Sequence, residues 1–342
     1  MPDRVLTTRE LNRAVLARQH LLARTAAPLV EVIERMGGIQ AQYAPSGYVA
    51  LWTRLAGFRR DDLTHALDAR EVVQGTLLRS TIHIVSRREY WRYAMGVRQA
   101  RRTWALRVDR AADEAAYVAR AERLRAELAG GPRSVRDLGD AAAGFVGNLG
   151  LWVDIVRVPP SGTWERRRAD ILGLAEQWVG PPGATEEDGR AHLVRAYLGA
   201  FGPSPWRDIA AWAGLSATEA RNAGADVDLV RYRDEAGHEL VDLPGAPLPD
   251  PDTPAPVRFL PHWDAALLAH ARRTGLLPEA HRPHVFSIRN PFSVGTCLVD
   301  GRVVGTWNLR DGRIDLDLVE EVARRDRDAI EEEREALEVF HA

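Results

Sequence analysis

Along its first seventy residues the chain repeats apolar positions three and four apart, in runs broken by glycine. Thr7-Thr8-Arg9-Glu10 has the spacing of a capping box, the Thr7 hydroxyl meeting the N3 amide and Glu10 reaching back. Leu11, Val15 and Leu22 then share one helical face. A second helix opens at Pro28, carries Leu29, Val32, Ile33 and Met36 at helical spacing, and stops at Gly37-Gly38. A third is predicted over roughly 47–56, closed by Gly57, and a short fourth from Asp61-Asp62 to about Asp68. The period then changes. Val72–Ser86 is rich in β-branched residues and interrupted by Gly75, which predicts a two-stranded wing. Helices followed by a short ribbon are the order of a winged helix-turn-helix.

The same order recurs. Residues 88–127 read as helix and are broken by Gly130-Gly131-Pro132; Ser134 caps a helix to Ala142; residues 151–164 read as strand, turn, strand, with a helix expected from Glu165. After the linker Pro181-Pro182-Gly183 come a helix over 192–200, one capped by Ser204 and stopped by Gly214, one capped by Ser216, and an alternating segment, 229–243, about Gly237. The expected fold is α+β and helix-rich: three tandem winged helix-turn-helix units over 1–90, 91–182 and 183–245. Proline-rich 244–256 is a linker. Residues 257–342 form a mixed α/β extension: a helix around 264–274, strands around 295–299 and 302–309 joined at Asp300-Gly301, and an acidic terminal helix from Asp317.

Charge adds a direction to this pattern. The net charge is only −2, yet residues 1–110 carry 19 Arg against 10 acids, and residues from Asp311 carry 12 acids against 5 Arg. A basic first third suits a local polyanion site. There is no lysine: all 46 basic side chains are arginine, the residue that grips phosphate with two parallel hydrogen bonds. No apolar run approaches the length of a membrane span, and the charged start lacks a secretory pattern. The single cysteine, Cys297, excludes an intramolecular disulfide framework and points to a reducing compartment, so the cytoplasm is expected.

Several chemistries are excluded. No P-loop, G-x-G-x-x-G or G-x-S-x-G is present, and the run GFVGNLG has the wrong glycine spacing for a dinucleotide turn. His281 and His284 flank Pro283 without acid or cysteine partners, so no metal and no nucleotide cofactor are expected. Cys297 lies in an apolar strand and reads as a structural thiol.

What remains is the hinge Ile39-Gln40-Ala41-Gln42. If it is extended, Ile39 and Ala41 face the core and the two glutamines stand side by side and outward. Two fixed amides offer carbonyl acceptors and NH2 donors that hold a water and steady a transient cation, but an amide is no general base near neutral pH. On the wing, alternation puts Arg79, Thr81 and His83 on one side, opposite Ile82 and Ile84, with Arg79 and Thr81 as candidate phosphate contacts and His83 as a further site candidate. Arg87, Thr163, Trp164 and Arg166 are candidate DNA contacts as well; Trp164 reads equally as a core residue, and the run Arg166–Arg168 as a solvated face.

The segments GGIQAQYAPSGYVALWTRL and LLRSTIHIVSRREYW resemble the winged-helix bacterial DNA glycosylases typified by AlkZ and YcaQ. The likeness continues through VPPSGTW, SPWRDIAAWAGL, FLPHWDAALLAHARR and LVDGRVVGTW. It implies three tandem winged helices around a concave basic surface, double-stranded DNA as partner, and Gln40 and Gln42 as the catalytic pair, in the glutamine–aliphatic–glutamine form of the signature. So mild a pair suffices for an N7-alkylated purine, which already carries a positive charge and leaves readily; orientation and charge stabilisation then do the rest. An unmodified base would need a stronger acid–base pair. The reading is thus a monomeric, monofunctional glycosylase, possible lesions including bulky adducts and crosslinks; without lysine no side-chain amine forms a Schiff base with the sugar. The alternative is a non-enzymatic winged-helix transcriptional regulator, which leaves the paired glutamines unexplained and calls for a dimer on a palindrome.

Overall fold

The computed structural model describes residues 4–108, 113–142, 149–269, 275–286 and 293–342. The GFVGNLG run falls largely outside them, as does the second half of the helix expected over 264–274. After β1 (Arg4–Leu6), Thr7 caps α1 (Thr8–Arg18) with both arms of the capping box in place. Behind α2 (Leu29–Arg35), Gly37 and Gly38 take φ of +75° and +81°. Only glycine adopts that conformation without strain, and it turns the chain straight into β2 (Ile39–Gln40). α3 (Ala44–Trp52) starts earlier than the spacing suggested, because Pro45 occupies its first turn. α4 (Arg60–Asp68), β3 (Val72–Thr76) and β4 (Ile82–Ser86) follow as expected.

The next stretch departs from the pattern. The single long helix is two, α5 (Tyr90–Val108) and α6 (Glu114–Leu128), the second capped by Asp113. β5 (Arg133–Ser134), α7 (Val135–Leu138), β6 (Ile155–Arg157), β7 (Ile171–Leu174) and α8 (Ala175–Trp178) come next. The helix expected from Glu165 is not formed. Ile171–Leu174 instead pairs with β6 on one side and β5 on the other, and that pairing overrides the local helix preference of the segment. α9 (Glu186–Phe201), α10 (Trp206–Ala213), α11 (Ala217–Ala223), β8 (Val230–Asp234) and β9 (Glu239–Asp242) complete this part. Pro205, not Ser204, stands at the N-cap of α10; Ser204 is buried, with its backbone paired to Val241 and its hydroxyl 3.0 Å from that of Tyr197. The last part holds β10 (Arg258–Leu260), α12 (Ala265–Leu268), α13 (Arg282–Val285), β11 (Gly295–Val299), β12 (Arg302–Arg310), β13 (Arg313–Leu318) and α14 (Arg324–His341). Asp300 and Gly301 both take positive φ at the β11–β12 turn, as the Asp-Gly pair requires.

Three sheets tie these elements together. The six-stranded sheet runs β2-β4-β3-β6-β7-β5, so hydrogen bonds cross residue 90 and the wing lies inside a sheet rather than projecting as a free ribbon. β1 runs parallel to β8 beside β9, and β10–β13 form a four-stranded meander against which α14 packs. α5 and α9 cross at Gly96 and Gly189, where a Cβ on either would overlap the other's backbone. A fully buried, bidentate pair between Arg54 and Asp264 (2.9 and 2.8 Å) fastens the end of α3 to the cap of α12.

Candidate functional site

β2 is antiparallel to β4, with Ile39 opposite Ile84 and Gln40 opposite His83; the Ala41 N–H continues the ladder to the Ile82 carbonyl at 2.8 Å. The hinge is therefore extended, and alternation holds: Ile39 and Ala41 are in the core. The glutamines differ, however. Gln42 is exposed, whereas Gln40 is only 7 % exposed and is not the open surface amide that alternation alone suggested. The difference comes from what covers it.

Arg79 covers it. The chain between β3 and β4 makes a tight turn in which Arg79 and Ser80 take φ of +51° and +62°. This turn carries the Arg79 guanidinium back over the sheet, where Nη2 donates to Gln40 Oε1 at 3.0 Å and Nη1 to the Trp212 carbonyl at 3.1 Å. Arg79 is thus not on an exposed wing strand, and it bridges the hinge to α10. Gln42 Oε1 accepts from the Ile82 N–H at 3.1 Å. Guanidinium and backbone N–H groups only donate, so both partners fix the amide orientation: each glutamine turns its carbonyl to the protein and keeps its NH2 as a donor. A carbonyl that accepts from an arginine makes its own NH2 a stronger donor, and each oxygen retains a second lone pair.

His83 is buried beside Gln40, its Nδ1 within 3.0 Å of the Thr81 carbonyl and 3.4 Å of the Thr81 hydroxyl. Burial, with Arg79 and Arg101 nearby, pushes its pKa down to about 3, so the imidazole is neutral at physiological pH. Two more cations lie under the turn. Arg101, on α5, donates to the Ser80 hydroxyl at 3.1 Å and to the Leu77 carbonyl at 2.6 Å; Arg157, on β6, donates to the Thr76 hydroxyl at 2.9 Å. Burial lowers both guanidinium pKa values to about 10, which still leaves them charged. Arg101 and Arg157 thus bring two guanidinium groups beneath the turn that carries Arg79. Arg101 had a readable signal, a charge at helical spacing between the apolar Val97 and Ala105; Arg157 had none.

The other candidates scatter. Arg87 is exposed and donates to the Val179 carbonyl at 3.1 Å. Thr163 is buried, its hydroxyl on the Pro160 carbonyl. Trp164 does not present its ring at a hairpin tip: it is 6 % exposed and packs on Tyr48, Phe340 and His341 at ring distances of 5.5, 5.5 and 5.2 Å. The apolar contacts of α3 and α14 outweigh exposure there. Arg166 is exposed, with one bond to Asp170 at 3.2 Å. Cys297 is buried, and its thiol is pushed up to about 12, which makes it inert. His281 is held on the Val303 carbonyl at 3.0 Å. The structure thus gathers Gln40, Gln42, Arg79, Thr81 and His83, and leaves Arg87, Thr163, Trp164 and Arg166 outside that cluster.

The family model described as AlkZ-like, DNA glycosylase AlkZ-like, matches residues 33–340, a span that begins just before the glutamine hinge and ends in α14. The chain belongs to the AlkZ-like DNA glycosylase family. Among solved structures it is similar to the Streptomyces sahachiroi DNA glycosylase AlkZ, at 18 % identity and a TM-score of 0.79, over 96 % of this chain and 95 % of that one. At that identity the likeness is one of fold, and it shows that the mixed, helix-rich architecture is the AlkZ one. No curated protein sequence matches the chain. Among the described residues of this AlkZ-like protein, no helix is long and apolar enough to cross a membrane.

Proposed function

We propose that this AlkZ-like protein is a monofunctional, monomeric DNA glycosylase of the cytoplasm that hydrolyses the N-glycosidic bond of N7-alkylated purines in duplex DNA, bulky adducts and crosslinks included. In this reading residues 1–90, 91–182 and 183–245 act as three winged-helix units around the duplex, and no metal or nucleotide cofactor takes part. Gln40 and Gln42 are the catalytic pair. The second lone pair of the Gln42 carbonyl accepts from the attacking water, the Gln40 NH2 holds it in line, and Arg79 keeps Gln40 in place. Arg166 and Thr81 contact the backbone.

One observation carries the reading: the hydrogen-bond partners of the two amides are an arginine and a backbone N–H, and the neighbouring imidazole is neutral. Such a set orients solvent but transfers no proton to a leaving base. It matches a leaving group that brings its own positive charge, as an N7-alkylpurine does, and it fails for an ordinary base. The test is base release from duplex DNA methylated at guanine N7, against unmodified DNA. Release from the first alone, leaving an intact abasic strand, is expected. Sequence-selective binding with no release from either would replace the enzyme with a regulator.

A further inference from the structure

One residue beyond Gln42, where the extended hinge turns into α3, a cavity of about 260 Å3 opens. Its walls are aromatic: Tyr43, His262, Trp263 and Trp307, with His262 5.9 Å edge-on from both Tyr43 and Trp307. Two of its lining residues carry a buried polar atom, Ser46 Oγ and His341 Nε2, with no hydrogen-bond partner among the described residues; Ser46 itself is 2 % exposed. Burying an unpaired hydroxyl costs free energy unless something completes it. Burial also keeps both imidazoles uncharged at neutral pH, His341 at about 4. The cavity is therefore an aromatic slot with uncharged imidazoles and one cation, Arg167, in its lining.

Its rim is charged. On one side Arg167 reaches the Tyr43 hydroxyl at 3.2 Å, next to the exposed Arg166 and Arg168. On the other, Leu309, 38 % exposed, leads to the tip of the β12–β13 hairpin, where the exposed Arg313 stands beside Asp311 and Arg310 pairs with Asp315 at 3.3 Å. A flat ring that enters such a slot while attached to a polyanion is a nucleobase turned out of its strand.

We infer that the slot between Tyr43, His262, Trp263 and Trp307 receives one unstacked nucleobase of the bound duplex, completing Ser46 and His341, while arginines on both rims hold the flanking phosphates. This rests on the function proposed above and adds a second recognition site to it. Tyr43 follows Gln42 directly in the chain, so slot and amides flank the same short backbone turn. Two sources fit: the lesion base itself, or the base paired with it.

The experiment uses the full chain and a duplex carrying 2′-fluorinated 7-methyldeoxyguanosine, whose electron-poor sugar resists cleavage. Leu309→Trp fills the mouth of the slot from a strand surface, and Ser46→Ala removes one polar wall atom with little change in volume. On this duplex, wild type is expected to bind about tenfold more tightly than Leu309→Trp, the worth of one stacked base, with a smaller loss for Ser46→Ala. Replacing either the lesion nucleotide or its partner by an abasic spacer then assigns the source: the wild-type-to-variant ratio collapses towards one in the duplex that lacks the seated base. Equal binding by wild type and both variants on every duplex overturns the inference. Release of 7-methylguanine by wild type is scored separately. Release without a binding difference sinks the slot and leaves the glycosylase; a binding difference without release does the reverse.

Discussion

Arg79 holds Gln40: its Nη2 donates to Gln40 Oε1 at 3.0 Å while Nη1 is anchored on the Trp212 carbonyl at 3.1 Å. A half-buried guanidinium fixed at both ends leaves the amide one orientation. Arg79 is in this sense a positioning residue. Arg79→Met should lower single-turnover release of 7-methylguanine by up to about 100-fold while changing duplex affinity far less. Because the arginine acts through the glutamine, adding Arg79→Met to Gln40→Ala should cost little more than Gln40→Ala alone. Additive losses in that double-mutant cycle would show that Arg79 acts on DNA directly.

Gln42 separates chemistry from folding better than Gln40 does. It is exposed, and its side chain makes one bond, to the Ile82 N–H at 3.1 Å. Gln42→Ala should therefore shift the urea midpoint by no more than about 0.5 kcal/mol of stability. Release of 7-methylguanine should fall by about 100- to 1000-fold, the loss typical of one preorganised hydrogen-bonding group. Undiminished release would remove Gln42 from the reaction.

These two predictions also show how far the sequence was legible. Local signals survived: the Thr7 capping box, the Ser216 cap, the Gly37-Gly38 stop, the Asp300-Gly301 turn and the extended hinge with Ile39 and Ala41 inward are each set by neighbours in the chain. What failed depends on distant partners. Ile171–Leu174 is a strand because β5 and β6 lie on either side of it, and Trp164 is buried because α14, more than 150 residues later, covers it. The site follows the same division. Gln40 and Gln42 were visible as a pair, and Thr81 and His83 as neighbours on one side of a strand; that β2 pairs with β4 and sets Gln40 opposite His83 was not. That Gln40 is roofed, and by Arg79, was not, because it depends on a turn with two positive φ values and on the carbonyl of Trp212, 133 residues away.

Trp164 and Arg166 are two residues apart and should behave oppositely. Trp164→Ala empties a buried site between Tyr48 and Phe340 and should cost about 3–5 kcal/mol, read as a lower melting temperature. Arg166 is exposed, with a single surface partner, Asp170. Arg166→Ala should leave the melting temperature nearly unchanged and reduce the slope of log affinity against log salt by about one, if it meets one phosphate. An unchanged slope would place Arg166 off the DNA.

The pH dependences of activity and stability should part company. The two amides do not titrate, and His83, with its pKa pushed down to about 3, is neutral throughout the working range. Release of 7-methylguanine should accordingly be flat from about pH 6 to 9, because neither partner changes charge there. A bell-shaped profile would reveal an acid or base that the site does not show. Stability behaves differently. His83 is lowered from the ordinary histidine value of 6.5, so the unfolded chain binds its proton more readily than the folded one. Its contribution is complete above pH 6.5 and is lost as pH falls from there towards 3. At pH 5 the loss is about 2 kcal/mol. His192 and His341, both lowered to about 4 by burial, add to it in the same direction. Glu89, raised to about 7 by burial and Glu34, opposes it, gaining stability over the interval in which the histidines lose. The His83 share is isolated by comparing wild type with His83→Asn. Urea midpoints measured at pH 7 and pH 5 should converge in the acid by about 2 kcal/mol, since asparagine has no proton to take up. Parallel curves over that interval would show that His83 is protonated in the folded protein, and with that the neutral site beside Gln40 would be lost.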